Sequence, residues 1–219
     1  KNTIDLDHTK ILILNADVPL IKKELLSDFI QKAKDYPLAF ISILLDDAQS
    51  YGRVVREVFL EKARKNSIKN HAGNTGNVAK IIEAKDFKLA YPESEIFEVN
   101  SGIYLVNARL LLDFLPKLTS ANASREYYLT DIVSLAKEND VPVEAFCYEN
   151  ASALLGVNTP LELSQAETIL QKEINTSLMQ NGVVLHNPDT VRISPFAAIS
   201  RGVEIFGPCE IYGKSVIGD

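Results

Sequence analysis

Residues 191–217 have the sequence VRISPFAAISRGVEIFGPCEIYGKSVI, in which an isoleucine recurs at every sixth position. The five isoleucines are Ile193, Ile199, Ile205, Ile211 and Ile217. Four of them follow a small or apolar residue by two places, at Val191, Ala197, Val203 and Cys209. A hexapeptide period with an aliphatic residue in every copy is typical of a β-helix, in which each hexad forms one side of a coil. We therefore expect residues 183–219 to be the first coils of a β-helix, with these isoleucines pointing inward.

A long helix is predicted directly before the hexads. Thr159-Pro160-Leu161-Glu162 combines a threonine N-cap, a proline at the first helical position and a glutamate that closes a capping box. Apolar residues then recur at helical spacing, at Ala166, Ile169, Leu170, Ile174 and Leu178, before Asn181-Gly182. We expect three parts: a domain over residues 1–158, a connector helix over residues 159–182, and the hexad region.

Residues 1–158 alternate between short apolar runs and amphipathic stretches. The predicted strands are Ile11–Leu14, Leu38–Leu44, Arg53–Arg56, Val78–Glu83, Glu98–Val106 and Val143–Cys147. The predicted helices are Lys22–Ala33, Ala108–Leu115 (stopped by Pro116) and Leu129–Lys137. Strands separated by helices favour an α/β domain with a mainly parallel sheet. Ligands of such sheets bind beyond the carboxyl ends of the strands, so residues that follow a strand are the first candidates for a site.

The composition of the chain excludes several classes of protein. Of its 219 residues, 46% are apolar and 24% are charged, which is typical of a globular protein. A net charge of −6 argues against nucleic acid or an anionic membrane as the main partner. Two cysteines, Cys147 and Cys209, make no disulfide framework, so we expect a protein of a reducing compartment, the cytoplasm. Neither these cysteines nor the three scattered histidines suggest a metal site. Because residue 1 is lysine and the single methionine is Met179, we expect a piece of a longer protein.

Two post-strand segments carry possible metal ligands. Asp17, in Asn15-Ala16-Asp17-Val18-Pro19-Leu20, offers a carboxylate that can hold a hard divalent cation together with phosphate oxygens. Its alternative role is to cap a helix that begins near Pro19. Asn158, in Gly156-Val157-Asn158, offers a side-chain carbonyl for the same ion, or it simply belongs to the turn that enters the long helix.

Other segments carry possible sugar ligands. Gly52 would let the backbone approach a ligand, while Glu83 and Asn100 offer a carboxylate and an amide of the kind that bind sugar hydroxyls. The alternative for Gly52 is an ordinary turn before a strand. The alternatives for Glu83 and Asn100 are a charge at a strand end or a loop. Glu126–Asp131 opens a helix, and its simplest role there is packing together with an N-cap. The ten glycines form neither G-x-G-x-x-G nor a Walker loop, and spacing suggests no catalytic triad.

Taken in order, these motifs resemble the bacterial bifunctional N-acetylglucosamine-1-phosphate uridyltransferase / glucosamine-1-phosphate acetyltransferases. The matching segments are Asp17–Ile21, Tyr51–Arg53, Ile82–Asp86, Asn100–Ile103, Glu126–Asp131 and Gly156–Asn158. The long helix that leads into hexapeptide repeats matches the two-domain layout of that family. The resemblance therefore implies an α/β fold: a partial, Rossmann-like nucleotide-sugar pyrophosphorylase domain, the connector helix, and the start of a left-handed parallel β-helix.

The resemblance also implies an activity and a set of site residues. UTP and N-acetylglucosamine 1-phosphate would give UDP-N-acetylglucosamine and pyrophosphate. Asp17 and Asn158 would hold the catalytic Mg²⁺, and Asn15 and Ala16 would lie beside the nucleotide-sugar. The N-acetylglucosamine portion would be held by Gly52 (through its backbone), Glu83 and Asn100. Acetyl-CoA would serve a second activity, the acetylation of glucosamine 1-phosphate, and the parent protein would be a homotrimer.

The chain departs from the family pattern in several places. Ala16 stands where the family usually has glycine, and Asn15 where many members carry tyrosine. A Lys/Asn-rich insertion lies between Glu57 and Ala79; Val58–Lys65 is a possible short helix, and we assign the insertion no function. The nucleotide loop of the family would precede residue 1 and the acetyl-CoA site would follow Asp219, so we expect the chain alone to be inactive. The other hypotheses are a sugar-1-phosphate nucleotidyltransferase of different specificity and a non-catalytic assembly fragment.

Overall fold

The structure, a computed structural model, describes residues 5–48, 50–64, 75–149 and 151–218. The chain divides into two compact units, Lys1–Gly156 and Val157–Asp219, which are described separately. Residues 65–74 of the Lys/Asn-rich insertion lie outside the described residues.

The first unit contains one mixed sheet. Its strands are β1 (Lys10–Ile13), β2 (Leu38–Leu44), β3 (Arg53–Arg56), β4 (Val78–Ile82), β5 (Glu98–Asn107) and β6 (Val143–Tyr148). They run in the order β4-β3-β5-β2-β6, and β1 also pairs with β5. Among the described strand pairs of this sheet only β2–β6 is parallel, so the prediction of a mainly parallel sheet is wrong. A connecting helix fits an antiparallel neighbour as well as a parallel one, and β5 runs against β1, β2 and β3 alike.

Five α-helices are described in the first unit. They are α1 (Lys23–Ala33), α2 (Glu57–Arg64), α3 (Ala84–Ala90), α4 (Ala108–Phe114) and α5 (Asp131–Glu138). The short helix suspected in the insertion is α2, whereas α3, with seven residues, was not predicted. Pro116 lies in a 3₁₀ turn that follows α4 directly. No helix in the described ranges is long and apolar enough to cross a membrane.

The sheet of the first unit has an apolar layer on each face. Phe40 and Tyr104 lie on one face, among residues of α4 and α5 such as Phe114 and Ile132. Ile41 lies on the other face, in a cluster that includes Phe29 and Ala33 of α1. This division follows from the alternation of side chains along a strand. A smaller cluster joins Val55 and Ile96 to Phe59 of α2 and Phe87 of α3.

The second unit begins with a long helix and continues in short strands. Helix α6 (Pro160–Gln180) has the predicted N-cap at Thr159 and a complete capping box. The strands that follow are β7 (Val184–His186), β8 (Val191–Ile193), β9 (Ala198–Ile199), β10 (Glu204–Phe206), β11 (Cys209–Ile211) and β12 (Val216–Ile217). Three parallel pairs form, each between strands 18 to 20 residues apart in sequence: β7 with β10, β8 with β11, and β9 with β12.

Four of the five hexad isoleucines share one core, as their common phase predicts. Ile193 and Ile205 are buried, and Ile199 and Ile211 are partly buried in the same cluster. Residues of α6 also pack against this cluster, namely Ile174 and Leu178.

Candidate functional site

Strand β5 is irregular near the middle of the sheet. Its register against β2 shifts between Phe40, which pairs with Tyr104, and Ser42, which pairs with Asn100. More residues of β5 than of β2 lie between these two pairs, so β5 bulges there. Gly102 lies in the bulge with φ of 80°, a backbone conformation that favours glycine. Bulges of this kind often lie next to active sites, where they re-aim side chains.

The opposite edge of β5 has an opening at the same place. Because β2 occupies one edge of β5, β1 and β3 share the other. Arg53 of β3 pairs with Val99, and Ile13 of β1 pairs with Tyr104. Among the residues that the structure describes, no strand pairs with residues 101–103 on this edge. The chain just after β1 and the chain just before β3 therefore both face the opening.

The structure brings four of the predicted site residues together around this opening. The backbone N–H of Asn100 donates to the carbonyl oxygen of Gly52 at 2.9 Å, and its side-chain Oδ1 accepts from the N–H of Gly102 at 3.1 Å. A Cβ added to Gly52 would lie 3.3 Å from both carboxylate oxygens of Glu83, and one added to Gly102 would clash with the side-chain amide of Asn15. Gly102 is required by its positive φ and by this clash, whereas at Gly52 a side chain would crowd Glu83.

Glu83 is the acidic group of this site. It directly precedes α3, and its Oε1 accepts a hydrogen bond from Thr130 Oγ1 at 2.9 Å. Burial raises the pKa of Glu83, and the negative charges of Asp131 and Asp86 raise it further. The hydrogen bond from Thr130 and the positive charge of Arg53 oppose this rise. Glu83 is thus a half-buried acceptor whose position is fixed by a hydroxyl donor.

Two residues of this site were missed by the sequence analysis. Thr130 occupies the N-cap position of α5, yet its side chain makes no capping hydrogen bond and bonds to Glu83 instead. The sequence motif Glu126–Asp131 predicts the start of a helix, with packing and an N-cap as its expected roles, and does not indicate a contact with Glu83. Tyr104 lies fully buried in β5, and its ring packs on Phe40. Its phenol stands between the apolar residues Ile103 and Leu105, and this polar group among apolar neighbours is the signal that could have drawn attention to it.

The segment after β1 contains Asn15 and two further predicted residues, Ala16 and Asp17, and all three are exposed. Helix α1 begins at Lys23 without a side-chain cap, so the alternative role of Asp17, capping a helix near Pro19, is wrong. Within the described ranges, no group of three or more His, Cys, Asp or Glu side chains is placed to hold a metal ion. Asp17 therefore offers a single exposed carboxylate that belongs to no such cluster.

Asn158 belongs to the second compact unit, and Asp17 to the first. Asn158 is exposed, and its backbone N–H donates to Glu162 Oε2 at 2.7 Å, beside the capping box of α6. A 3₁₀ turn over Ala151–Leu154 separates it from β6, so its predicted position directly after a strand is wrong. Its side-chain amide is left at the surface of its unit.

No family model matches the chain. Among curated relatives, a protein of Lawsonia intracellularis is 39% identical over 200 residues, which cover 91% of this chain and 40% of the relative. A protein of Nitratidesulfovibrio vulgaris strain DP4 is 40% identical over 209 residues, and one of Campylobacter jejuni is 37% identical over 216 residues. These two alignments cover 95% and 96% of this chain and 42% and 44% of the relatives. All three relatives are named bifunctional protein GlmU.

Solved structures show weaker similarity. A Bacillus anthracis protein assigned as a glucose-1-phosphate thymidylyltransferase has a TM-score of 0.41 at 14% identity, over 75% of this chain and 55% of that one. A CMP:2-keto-3-deoxy-manno-octonic acid synthetase has a TM-score of 0.45 at 13% identity, over 75% and 62%. The chain spans about two fifths of the length of the curated relatives that it matches. Over that part of their length, the chain is similar in sequence to the bifunctional GlmU proteins.

Proposed function

We propose that the chain supplies the sugar-binding side of an N-acetylglucosamine-1-phosphate uridyltransferase. This enzyme would join UTP and N-acetylglucosamine 1-phosphate into UDP-N-acetylglucosamine and pyrophosphate. The observation that carries the proposal is the convergence of Gly52, Glu83 and Asn100 at the opening in β5. The names of the relatives, which are 37% to 40% identical to this chain, support it.

Each residue at the opening has a role that its chemistry suits. The carboxylate of Glu83 would accept hydrogen bonds from sugar hydroxyls, and the amide of Asn100 would bind the sugar through a side-chain N–H group. Gly52 has no side chain, so its backbone would be able to approach the sugar. A side chain at this position would instead crowd the carboxylate of Glu83. Asn15 and Ala16 would lie beside the nucleotide-sugar. Transfer of a nucleotidyl group depends mainly on positioning and charge stabilisation, so none of these residues needs to move a proton.

A divalent cation belongs to the same proposal. Oxygen ligands from carboxylates, amides and phosphates are those that Mg²⁺ prefers, and Asp17 and Asn158 offer one carboxylate and one amide oxygen. Both side chains are exposed and therefore available to a ligand. When bound, Mg²⁺ would neutralise negative charge on the phosphate groups. We therefore propose Asp17 as the anionic ligand and Asn158 as a neutral one.

The second unit has its own proposed identity. We propose that residues 159–182 form a connector and that residues 183–219 are the first coils of a left-handed parallel β-helix. Support comes from the three parallel strand pairs and from the shared core of four hexad isoleucines. By the same sequence similarity, acetylation of glucosamine 1-phosphate by acetyl-CoA would belong to the part of these proteins outside this chain. The homotrimer expected for the parent protein is testable by light scattering after size exclusion.

The test of the sugar site is ligand binding by the 219-residue chain. We expect UDP-N-acetylglucosamine to bind in calorimetric titration, and Asn100→Ala to weaken this binding by about tenfold or more, the scale of a lost hydrogen-bonding partner in a buried site. Asn139→Ala is the matched control, since the side chain of Asn139 bonds to the carbonyl oxygen of Leu135 in its own helix. Equal affinities of the two variants would contradict the proposed site. UDP-glucose serves as the competitor: if it binds as well as UDP-N-acetylglucosamine, the alternative of a different sugar specificity is favoured.

A further inference from the structure

Tyr104 places a hydroxyl group in the core next to the proposed sugar site. The residue is only 1% exposed, and its ring centroid lies 5.7 Å from that of Phe40. Within the described part of the chain, its hydroxyl oxygen has no hydrogen-bond partner of standard geometry. Native cores rarely leave a buried hydroxyl unpaired, and a small rotation towards a polar neighbour or a bound water usually satisfies it.

The polar neighbours of this hydroxyl are the two side chains proposed to hold the sugar. Burial raises the pKa of Tyr104, the negative charge of Glu83 raises it further, and hydrogen bonding to the side chain of Asn100 lowers it. The sheet places these groups on one face. Tyr104 pairs with Phe40 and Asn100 pairs with Ser42, two residues further along β2, so both side chains point to the same side. Ile81 shares the core cluster of Tyr104, and a Cβ added to Gly52 would meet both Ile81 and Glu83, so Glu83 lies beside that cluster.

The hydrogen bonds of Asn100 leave a place for this hydroxyl. Oδ1 of Asn100 accepts from the N–H of Gly102 at 3.1 Å, which leaves the two N–H groups of the amide to donate elsewhere. One of them can donate to the oxygen of Tyr104 and the other to a ligand. The hydroxyl proton of Tyr104 then needs an acceptor. The carboxylate of Glu83, whose negative charge raises the pKa of Tyr104, is the candidate acceptor.

We propose that Tyr104 is a positioning residue of the sugar site, whose hydroxyl links the amide of Asn100 to the carboxylate of Glu83, directly or through one water. The link would hold both side chains in the orientation that receives the sugar. This inference rests on the proposed function, and it adds to the site a residue that does not itself touch the ligand.

The experiment compares the 219-residue chain with its Tyr104→Phe variant, which keeps the ring and its contact with Phe40. We expect Tyr104→Phe to weaken UDP-N-acetylglucosamine binding by about 5- to 10-fold, as for one lost hydrogen bond. We also expect the side-chain N–H signals of Asn100 in ¹⁵N NMR spectra to exchange faster with water. A hydroxyl with a purely structural role would move neither readout. Tyr148→Phe is the control, since the hydroxyl of Tyr148 bonds to Asp28 at 2.6 Å and takes no part in the proposed site.

The outcomes separate this inference from the proposed function. If the wild-type chain binds UDP-N-acetylglucosamine and Tyr104→Phe binds it equally well, with the Asn100 signals unchanged, the role of Tyr104 is contradicted while the function stands. If the wild-type chain does not bind the nucleotide-sugar at all, the proposed function fails and the role of Tyr104 in sugar binding fails with it. A melting temperature for Tyr104→Phe at or above that of the wild type would show that weaker binding does not come from a damaged core.

Discussion

Glu83 and Glu162 are two glutamates whose surroundings act on their pKa values in opposite directions. Burial raises the pKa of Glu83, and the nearby Asp131 and Asp86 add to that effect. Glu162 is exposed, and its pKa is lowered, first by the backbone N–H of Asn158 and then by the side-chain and backbone groups of Thr159. The folded state therefore favours the protonated form of Glu83 and the ionised form of Glu162. The two residues should make opposite contributions to the pH dependence of stability.

We predict that Glu83→Gln becomes progressively more stable than the wild type as the pH rises from about 4 to about 7. A carboxyl whose pKa is raised by folding contributes its stability below the unfolded pKa, and that contribution is lost as the pH rises through the folded pKa. Glutamine never ionises, so it avoids this loss while still accepting from Thr130. Melting temperatures of both proteins at the two pH values provide the measurement.

Glu162→Gln is the control and should change in the opposite direction. A carboxyl whose pKa is lowered contributes stability above its unfolded pKa, and this is lost as the pH falls through the folded pKa. The melting temperature of Glu162→Gln should therefore fall further below that of the wild type at about pH 7 than at about pH 4. Glu83→Gln differing from the wild type by the same amount at both pH values would contradict the raised pKa of Glu83.

At the scale of the residue, the sequence identified chemical groups better than it identified their partners. The sequence predicts Gly52, Glu83 and Asn100 as sugar-binding residues, and the three lie close together in the structure. The bond from Thr130 to Glu83 was not foreseeable, because Thr130 also stands where a helix cap is expected, and local sequence does not distinguish a cap from a contact 47 residues away. Tyr104 was hidden for a similar reason: alternation along a strand marks it as a core residue and says nothing of its hydroxyl.

At the scale of the element, strand and helix positions followed from periodicity, whereas strand direction did not. Strand β2 has its predicted bounds, and β5 was placed to within one residue. Because hydrophobic periodicity is the same for a strand of either direction, it cannot report that β5 opposes three of its neighbours. The opening between β1 and β3 depends on those directions, so its geometry required the structure.

Helix α2, within the insertion, gives a prediction about stability. Its Phe59 is 5% exposed, and its ring centroid lies 5.3 Å from that of Tyr91 and 6.1 Å from that of Phe87 in α3. Phe59→Ala would remove this aromatic packing and leave a cavity, at a cost of about 3 kcal/mol in the free energy of unfolding. Urea denaturation of the variant and the wild type measures this loss.

Phe196→Ala makes the same chemical change at a residue that is 71% exposed, and it should cost less than about 0.5 kcal/mol. If Phe59→Ala were as mild as this control, α2 would not be a packed part of the first unit. A large loss would show that a segment departing from the family pattern nonetheless supports α3, which begins directly after Glu83.

At the scale of the whole molecule, a change of hydrophobic period separated the two parts of the chain. Helix–strand alternation precedes Thr159 and a six-residue period follows Asn181, and the two compact units meet at Gly156 and Val157. Each unit has its own apolar clusters. The strand pairs of the second unit join residues 18 to 20 apart, as three hexads per coil would require. The sequence period thus predicts a boundary near residue 158, because each kind of repeat buries its apolar residues in its own way, whereas the separate connector helix stays a prediction.

The proposed division of labour between the two parts gives the last prediction, which concerns a full-length protein of this family that carries this chain. Asp17→Ala removes the proposed anionic ligand, so uridyl transfer should fall by roughly 10²-fold or more, the scale of losing a charge-stabilising group. Acetyl transfer should be nearly unchanged, because its proposed site lies outside this chain. Both rates are measured on the same preparation, with Asp113→Ala, another exposed aspartate, as the control. Equal losses of both activities would mean that Asp17 serves the fold, and unaffected uridyl transfer would place the metal ligand at another residue.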